Sequence, residues 1–166
     1  MYILRTEMGS IPPAVAFYTV ENYGAEGSVG YLMRRVVNVI RQGVDRRLEA
    51  VGLTDAQWVP LLKLKFGGAT PVAELARGCD VDAGAMTRML DRLEAKGLVR
   101  RVRSTVDRRV VTIELTPEGV RAAAQIPAVL CEVQNALLAG VEHAEWQALL
   151  ATLHKMLDNA QSGAPA

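Results

Sequence analysis

The sequence predicts a mainly α-helical fold with a small two-stranded β wing, on three observations. Apolar residues recur at three- or four-residue steps through most of the chain, the spacing of one buried helix face. One stretch, Val111-Thr112-Ile113-Glu114-Leu115, alternates with period two, as a half-buried strand does. Gly, Pro, Thr and Asp fall where these patterns begin and end, so the helices are separately started and stopped.

The composition sets the frame. A chain of 166 residues fits one compact domain with appendages. It is half apolar but only 5% aromatic, which suits a core of Leu, Val, Ala and Met and excludes a disordered chain. The two cysteines, Cys79 and Cys131, are far apart and form no CxxC pair, so neither structural zinc nor a disulfide framework is expected. The opening MYILRTEMGSIPP carries an early acid and prolines without a long apolar stretch. It reads as neither a signal peptide nor a membrane span, and a cytoplasmic protein is expected.

In chain order, residues 1–27 lack periodicity and read as an N-terminal arm. From Ser28, Val29, Leu32, Val36, Ile40, Val44, Leu48 and Val51 form one helical stripe that Gly52 stops. Thr54 and Gln57 have capping-box spacing and open a second helix, which Gly67-Gly68 ends. Thr70-Pro71 reads as an N-cap with proline at the first helical position, followed by a short helix to Gly78. After Cys79-Asp80-Val81, Asp82 caps a longer helix with Met86, Leu90 and Leu93 inward, and Gly97 ends it. A hairpin follows from about Leu98 to Leu115. Thr116-Pro117 then starts a helix that Pro127 should kink or interrupt and Gly140 should end. The last helix is expected to bury Trp146, Leu149, Leu150, Leu153 and Leu157.

A short helix, a tight turn and a second helix make a helix-turn-helix, and the hairpin after it makes it winged. The division expected is therefore the arm at 1–27, a winged helix-turn-helix at 53–116, and a helical dimerisation region at 28–52 and 117–160. The first and last helices carry apolar faces outside the central motif, which predicts that two chains cover each other.

Charge is unevenly placed. The net charge is +1, but Met86–Arg109 holds eight basic residues against three acids, a local +5 that leaves −4 for the rest. A solvated surface looks like this too; the position of the charges is what points to a polyanion. With the apolar stripe inward, the longer helix turns Ala83, Gly84, Thr87, Arg88, Asp91 and Arg92 outward. Small residues at its start allow close approach, and Thr87, Arg88 and Arg92 suit phosphates and base edges in a major groove. Arg103, Arg108 and Arg109 cluster at the wing, where a narrow minor groove attracts arginine. Asp107 is placed to orient Arg109 by a charge-assisted bond. A winged module that contacts only proteins, or an enzyme, are the competing classes. A steep salt dependence of duplex binding separates the first reading from both.

The run LEAKGLVRRVRSTVDRRVVTIELTPEG resembles the wing of MarR-type regulators through Gly97, Leu98, Val99, Arg101, Asp107, Arg109, Leu115, Thr116 and Gly119. VGLTDAQWVPLLKL and VAELARGCDVDAGAMTRMLDRLEAKG resemble that family's second helix and helix-turn-helix, and the likeness spans about Val29 to Asn159. The resemblance implies a homodimer with first and last helices interleaved. It implies a pseudo-palindromic double-stranded DNA operator, with Thr87, Arg88 and Arg92 in the major groove and Arg109, held by Asp107, in the minor groove. Many relatives have serine at the place of Asp82, which is expected here to cap rather than to touch DNA. A sequence-specific transcription regulator follows, a repressor released by a small aromatic effector, phenolic or carboxylate. Tyr31, Arg34, Arg35 and Trp58 are the candidate lining of the effector pocket. No cofactor or metal is expected, since His143 and His154 are the only histidines and converge on no ligand set. Cys79 in the turn is a weak redox candidate because Asp80 adjoins it, and Cys131 is expected to be buried.

Overall fold

The computed structural model describes residues 17–103 and 110–163. The described elements are α1 (Val29–Leu48), α2 (Asp55–Gly67), β1 (Thr70–Pro71), α3 (Val72–Gly78), α4 (Ala83–Ala95), β2 (Val99–Arg103), β3 (Val111–Leu115), α5 (Pro117–Leu137) and α6 (His143–Gly163). The chain divides into two compact units: Arg34–Leu137, and the segments up to Met33 and from Leu138.

The larger unit contains the buried core. Val44 and Leu48 of α1, Leu61 and Leu64 of α2, Leu75 of α3, Met86, Leu90 and Leu93 of α4, Ile113 of β3 and Ile126 of α5 meet there. Each fully buried Leu, Ile or Met contributes about 1.5–3 kcal/mol by leaving water. The α2 start is capped as its sequence predicts, with Thr54 N–H donating to Gln57 Oε1 at 3.2 Å. Asp82 caps α4, its Oδ1 accepting from Ala85 N–H at 2.8 Å.

The sheet has three strands in the order β1-β3-β2, all antiparallel, where two were expected. Val99 pairs with Leu115 and Arg103 with Val111 across the hairpin. The extra strand is Thr70-Pro71, paired with Ile113 and Thr112. Thr70 therefore does not cap α3 as its sequence suggests. Its hydroxyl donates to the Gly68 carbonyl at 3.0 Å, and no side chain caps α3. Pro71 is extended, at φ −59 and ψ 143, and has no N–H to give a ladder. Such a residue sits well on a sheet edge, and pairing with β3 takes the place of the cap.

Pro127 neither ends nor interrupts α5, which runs unbroken from Pro117 to Leu137. An interior proline costs roughly 3 kcal/mol. Ile126 and Val133 are buried on the same helix, and two such side chains offset that cost. α2 likewise runs through the buried Pro60, between buried Gln57 and Leu61. α5 ends at Leu137, and Gly140, at φ 83, lies in the turn before α6.

Thr116 ties the wing to α5. Its hydroxyl donates to the Gly97 carbonyl at 2.6 Å and accepts from Gly119 N–H at 3.0 Å. Its own N–H donates to Leu98 O at 3.0 Å. This brings the first turn of α5 so close to the hairpin that a Cβ on Gly119 would overlap the Leu98 carbonyl.

In the smaller unit the beginning of α1 is held by two tyrosines. Tyr18 Oη accepts from Val29 N–H at 2.9 Å and donates to Gly27 O at 3.2 Å. Tyr23 Oη bonds the buried Ser28 hydroxyl at 3.1 Å, and Ser28 Oγ accepts from Tyr31 N–H at 3.4 Å. The described end of the N-terminal arm thus satisfies helix-start donors.

α6 differs from its sequence expectation. Trp146 and Leu153 are half-buried, while Leu149, Leu150 and Leu157 are exposed. On α1, Val44 and Leu48 are buried, yet Val29, Leu32 and Val36 are exposed. The stripes are helical as read, but the described chain does not cover them.

Gly119→Ala is expected to destabilise the fold by about 1–3 kcal/mol or more, because the opposing atom is backbone and cannot rotate away. A lowered urea midpoint at unchanged m value is the expected result.

Candidate nucleic-acid interface

The turn between α3 and α4 fixes how α4 leaves α3. Val81 N–H donates to Ala76 O and Asp80 N–H to Arg77 O, both at 3.2 Å, with Asp80 at φ 52. This is the Schellman ending, with aspartate in the left-handed position that glycine usually fills. At the far end of α4 the same bonds recur: Leu98 N–H to Leu93 O and Gly97 N–H to Glu94 O, with Gly97 at φ 69.

Between these turns, Met86, Leu90 and Leu93 are fully buried, and Ala83, Gly84, Thr87, Arg88, Asp91 and Arg92 are exposed. The inward and outward sets are those that the sequence predicts. Arg88 and Arg92 form no ion pair among the described residues. The Thr87 hydroxyl donates to Ala83 O at 2.8 Å, which leaves its oxygen to accept and its methyl group available for contact.

The other basic residues of the block are of two kinds. Arg103 is exposed at the end of β2. Lys96, Arg100 and Arg101 are engaged by the protein itself. Lys96 Nζ donates to Gly52 O at 2.6 Å and Gln57 Oε1 at 2.9 Å, joining the end of α4 to the start of α2. Arg100 pairs with Glu114 across the hairpin at 2.9 Å. Arg101 pairs with Asp91 of α4 at 2.6 Å and also with Glu94. The bond to Asp91, then the charge of Glu94 beside it, holds the Arg101 guanidinium even more firmly protonated than usual. Asp107, Arg108 and Arg109 lie outside the described residues.

Of the residues that the sequence offers for an effector, Tyr31, Arg34 and Arg35 lie on α1 and Trp58 on α2. Tyr31 is half-buried in the smaller unit; Arg34, Arg35 and Trp58 belong to the larger one, with both arginines exposed. Trp58 borders a cavity of about 310 Å³ in the larger unit, with Ile40, Arg41, Asp55, Val81 and Met89. Its indole N–H donates to Asp55 Oδ1 at 3.0 Å, and the other Asp55 oxygen pairs with Arg41 at 3.3 Å. Sequence reasoning missed Arg41 and Asp55. Asp55 stands three before Trp58, a helical neighbour, which is the one signal that pointed to it.

Cys79 touches the same cavity and is half-buried. Burial raises its thiol pKa, Lys63 lowers it and Asp80 adds to the rise, so the thiolate is disfavoured. Cys131 is exposed, contrary to its expected burial, because it falls on the outer face of α5 beside Glu132. Among the described residues no three His, Cys, Asp or Glu side chains are grouped to hold a metal, and no helix is long and apolar enough to cross a membrane.

Known proteins share this architecture. A sequence model of the MarR family matches residues 53–111. A MarR-family transcriptional regulator from Silicibacter pomeroyi is 31% identical, with a TM-score of 0.71, over 86% of this chain and 96% of its own. A mutant MarR from E. coli, solved in complex with operator DNA, is 29% identical, with a TM-score of 0.73, over 78% and 93% of the two chains. BpsR of Bordetella bronchiseptica, whose DNA binding is regulated by 6-hydroxynicotinic acid, is 26% identical, with a TM-score of 0.75, over 82% and 97%. On the fold, the β2–β3 wing within its three-stranded sheet, and this likeness over 86% of its length, the chain belongs to the MarR family.

Proposed function

We propose that the chain is a sequence-specific DNA-binding transcription regulator without enzymatic activity, working as a homodimer. The observation that carries this reading is the outward face of α4. It presents Thr87, Arg88 and Arg92 beyond a small-residue start, with both arginines in no ion pair among the described residues. Such a face suits a major groove, where arginine meets guanine or phosphate. Thr87, its proton held by Ala83 O, suits a base amino group or a thymine methyl better than a phosphate, which only accepts. Arg103 extends the positive surface onto the wing. Arg108 and Arg109, with Asp107 orienting Arg109, are added on the sequence pattern. The relative from E. coli bound to operator DNA supports the same reading.

A second copy of the chain is the proposed cover for α1 and α6. Val36 is 52% exposed and Leu157 59%. Apolar faces of this kind are rarely left to water. A two-fold dimer sets two recognition helices about 34–36 Å apart, one duplex turn, on a pseudo-palindromic operator.

The regulator is further proposed to be a repressor released by a small aromatic acid or phenol. The likeness to BpsR supports this, as does the cavity beside Trp58. Arg41 is the cation there, and a ligand carboxylate would draw it from Asp55. Val81 and Met89 line the same cavity, so a ligand would press on the turn before α4 and on α4 itself. Release from DNA requires that the ligand bind the free form more tightly.

Selection of bound fragments from random duplex DNA should return an inverted repeat, and an unsymmetrical or empty selection would count against the reading. Arg88→Ala and Arg92→Ala should each weaken binding and lower the salt slope by about one unit. Light scattering should give twice the chain mass of 18.0 kDa, diluted or not. Arg41→Met should bind operator normally but lose its response to hydroxybenzoic and hydroxynicotinic acids; an intact response would remove this cavity from the mechanism.

A further inference from the structure

Arg101 stands in the middle of the basic block, yet its charge faces the protein. Nη2 lies 2.6 Å from Asp91 Oδ1, and Nη1 bonds Glu94 Oε2. Its backbone N–H donates to the second Glu94 oxygen at 3.2 Å. Asp91 and Glu94 are three residues apart on α4, hence side by side. One planar guanidinium spans both carboxylates through two separate nitrogens held in a fixed fork, a geometry that the compact ammonium of lysine does not reproduce. β2 is an edge strand, and Glu94 satisfies an edge N–H on it. Across the ladder Arg101 faces Ile113, which is fully buried and anchors the hairpin in the core.

We infer that Arg101 is a positioning residue rather than a DNA contact: it fixes the angle between α4 and the β2–β3 hairpin. The inference rests on the DNA-binding reading. If α4 and the wing are to meet one duplex together, their relative angle must be set before contact. Leu93, Leu98 and Val99 fill the inner side of the α4–β2 junction, and all three are buried. Arg101 closes the outer side. An isolated exposed ion pair holds little. Here three bonds converge on one residue from one turn of helix, with the Arg101 side chain only 33% exposed.

The test opposes geometry to charge. Asp91→Asn with Glu94→Gln raises the net charge by two, so a simple attraction to DNA would strengthen. The positioning role instead makes operator binding weaker, by about tenfold or more. Arg101→Met should weaken it similarly with the salt slope unchanged, whereas loss of a phosphate contact lowers the slope by about one. Arg101→Lys should recover only part of the loss. Amide exchange at residue 101 should quicken in the double variant and in Arg101→Met, a readout independent of DNA. Tighter binding by the double variant, a slope reduced by about one in Arg101→Met, or undiminished affinity in both would overturn the inference. Should Arg101→Met fail to fold, the double variant decides alone. A native protein that binds no duplex in a salt-dependent way would instead overturn the DNA reading, while the exchange measurement still reports on the junction.

Discussion

Burial of Met86, Leu90 and Leu93 leaves α4 a single rotation about its axis, and every surface property of that helix follows from it. A helix advances about 100° per residue, so three buried side chains at i, i+4 and i+7 define one face. Turning α4 by one residue would lift part of this set into water, at about 1.5–3 kcal/mol for each side chain exposed. It would also push Arg88 or Arg92 toward the core, where an unpaired charge costs several kcal/mol more. Both terms act in the same direction. The two Schellman turns, at Asp80 and Gly97, then set where the helix enters and leaves.

Basic residues in this block do different work according to what lies across from them. Lys96, Arg100 and Arg101 face carbonyls and carboxylates of neighbouring elements, and they hold α4, β2 and β3 in register. Arg88, Arg92 and Arg103 face outward. Net charge along the sequence does not distinguish these roles. Arg100 and Arg101 are adjacent, and the alternation of a strand sends one toward Glu114 and the other toward α4. A local charge of +5 is therefore a poor measure of what a polyanion would meet. The engaged residues still matter to that surface, because they determine whether the outward ones lie on a common platform.

Much of this was legible in the sequence because it depends on local periodicity. The α4 stripe, the Asp82 cap and the β2–β3 hairpin follow from spacing within fewer than twenty residues, and the structure has each at the predicted place. What escaped depends on partners distant in sequence. Thr70-Pro71 has the composition of a helix start, and only the presence of β3 beside it makes it a strand. Pro127 has the composition of a break, and the buried face of α5, with Ala122, Ala123, Ile126 and Val133, carries the helix past it. Asp91 reads as one more outward side chain until Arg101 is found across from it. Trp58 reads in the sequence as a ring alone, whereas its polar environment comes from Asp55 and, through Asp55, Arg41 of a different helix. Cys131 shows the converse: a place in the C-terminal helical region predicts burial, yet its face of α5 is exposed.

The half-covered stripe of α1 carries the argument to assembly. One helix presents Val44 and Leu48 to the core of its own chain and leaves Val29, Leu32 and Val36 in water. If the single chain were the working form, polar residues at those positions would cost nothing and would improve solubility. α6 repeats the situation with Leu149, Leu150 and Leu157. A cover for two such faces must itself be apolar and must fit a helical surface in shape. A second copy of this chain offers both properties, and a two-fold axis lets each face be satisfied by the same kind of face in return. The same axis places two copies of α4 on one assembly, so the burial of the apolar helices and the spacing of the two α4 faces become one geometric problem.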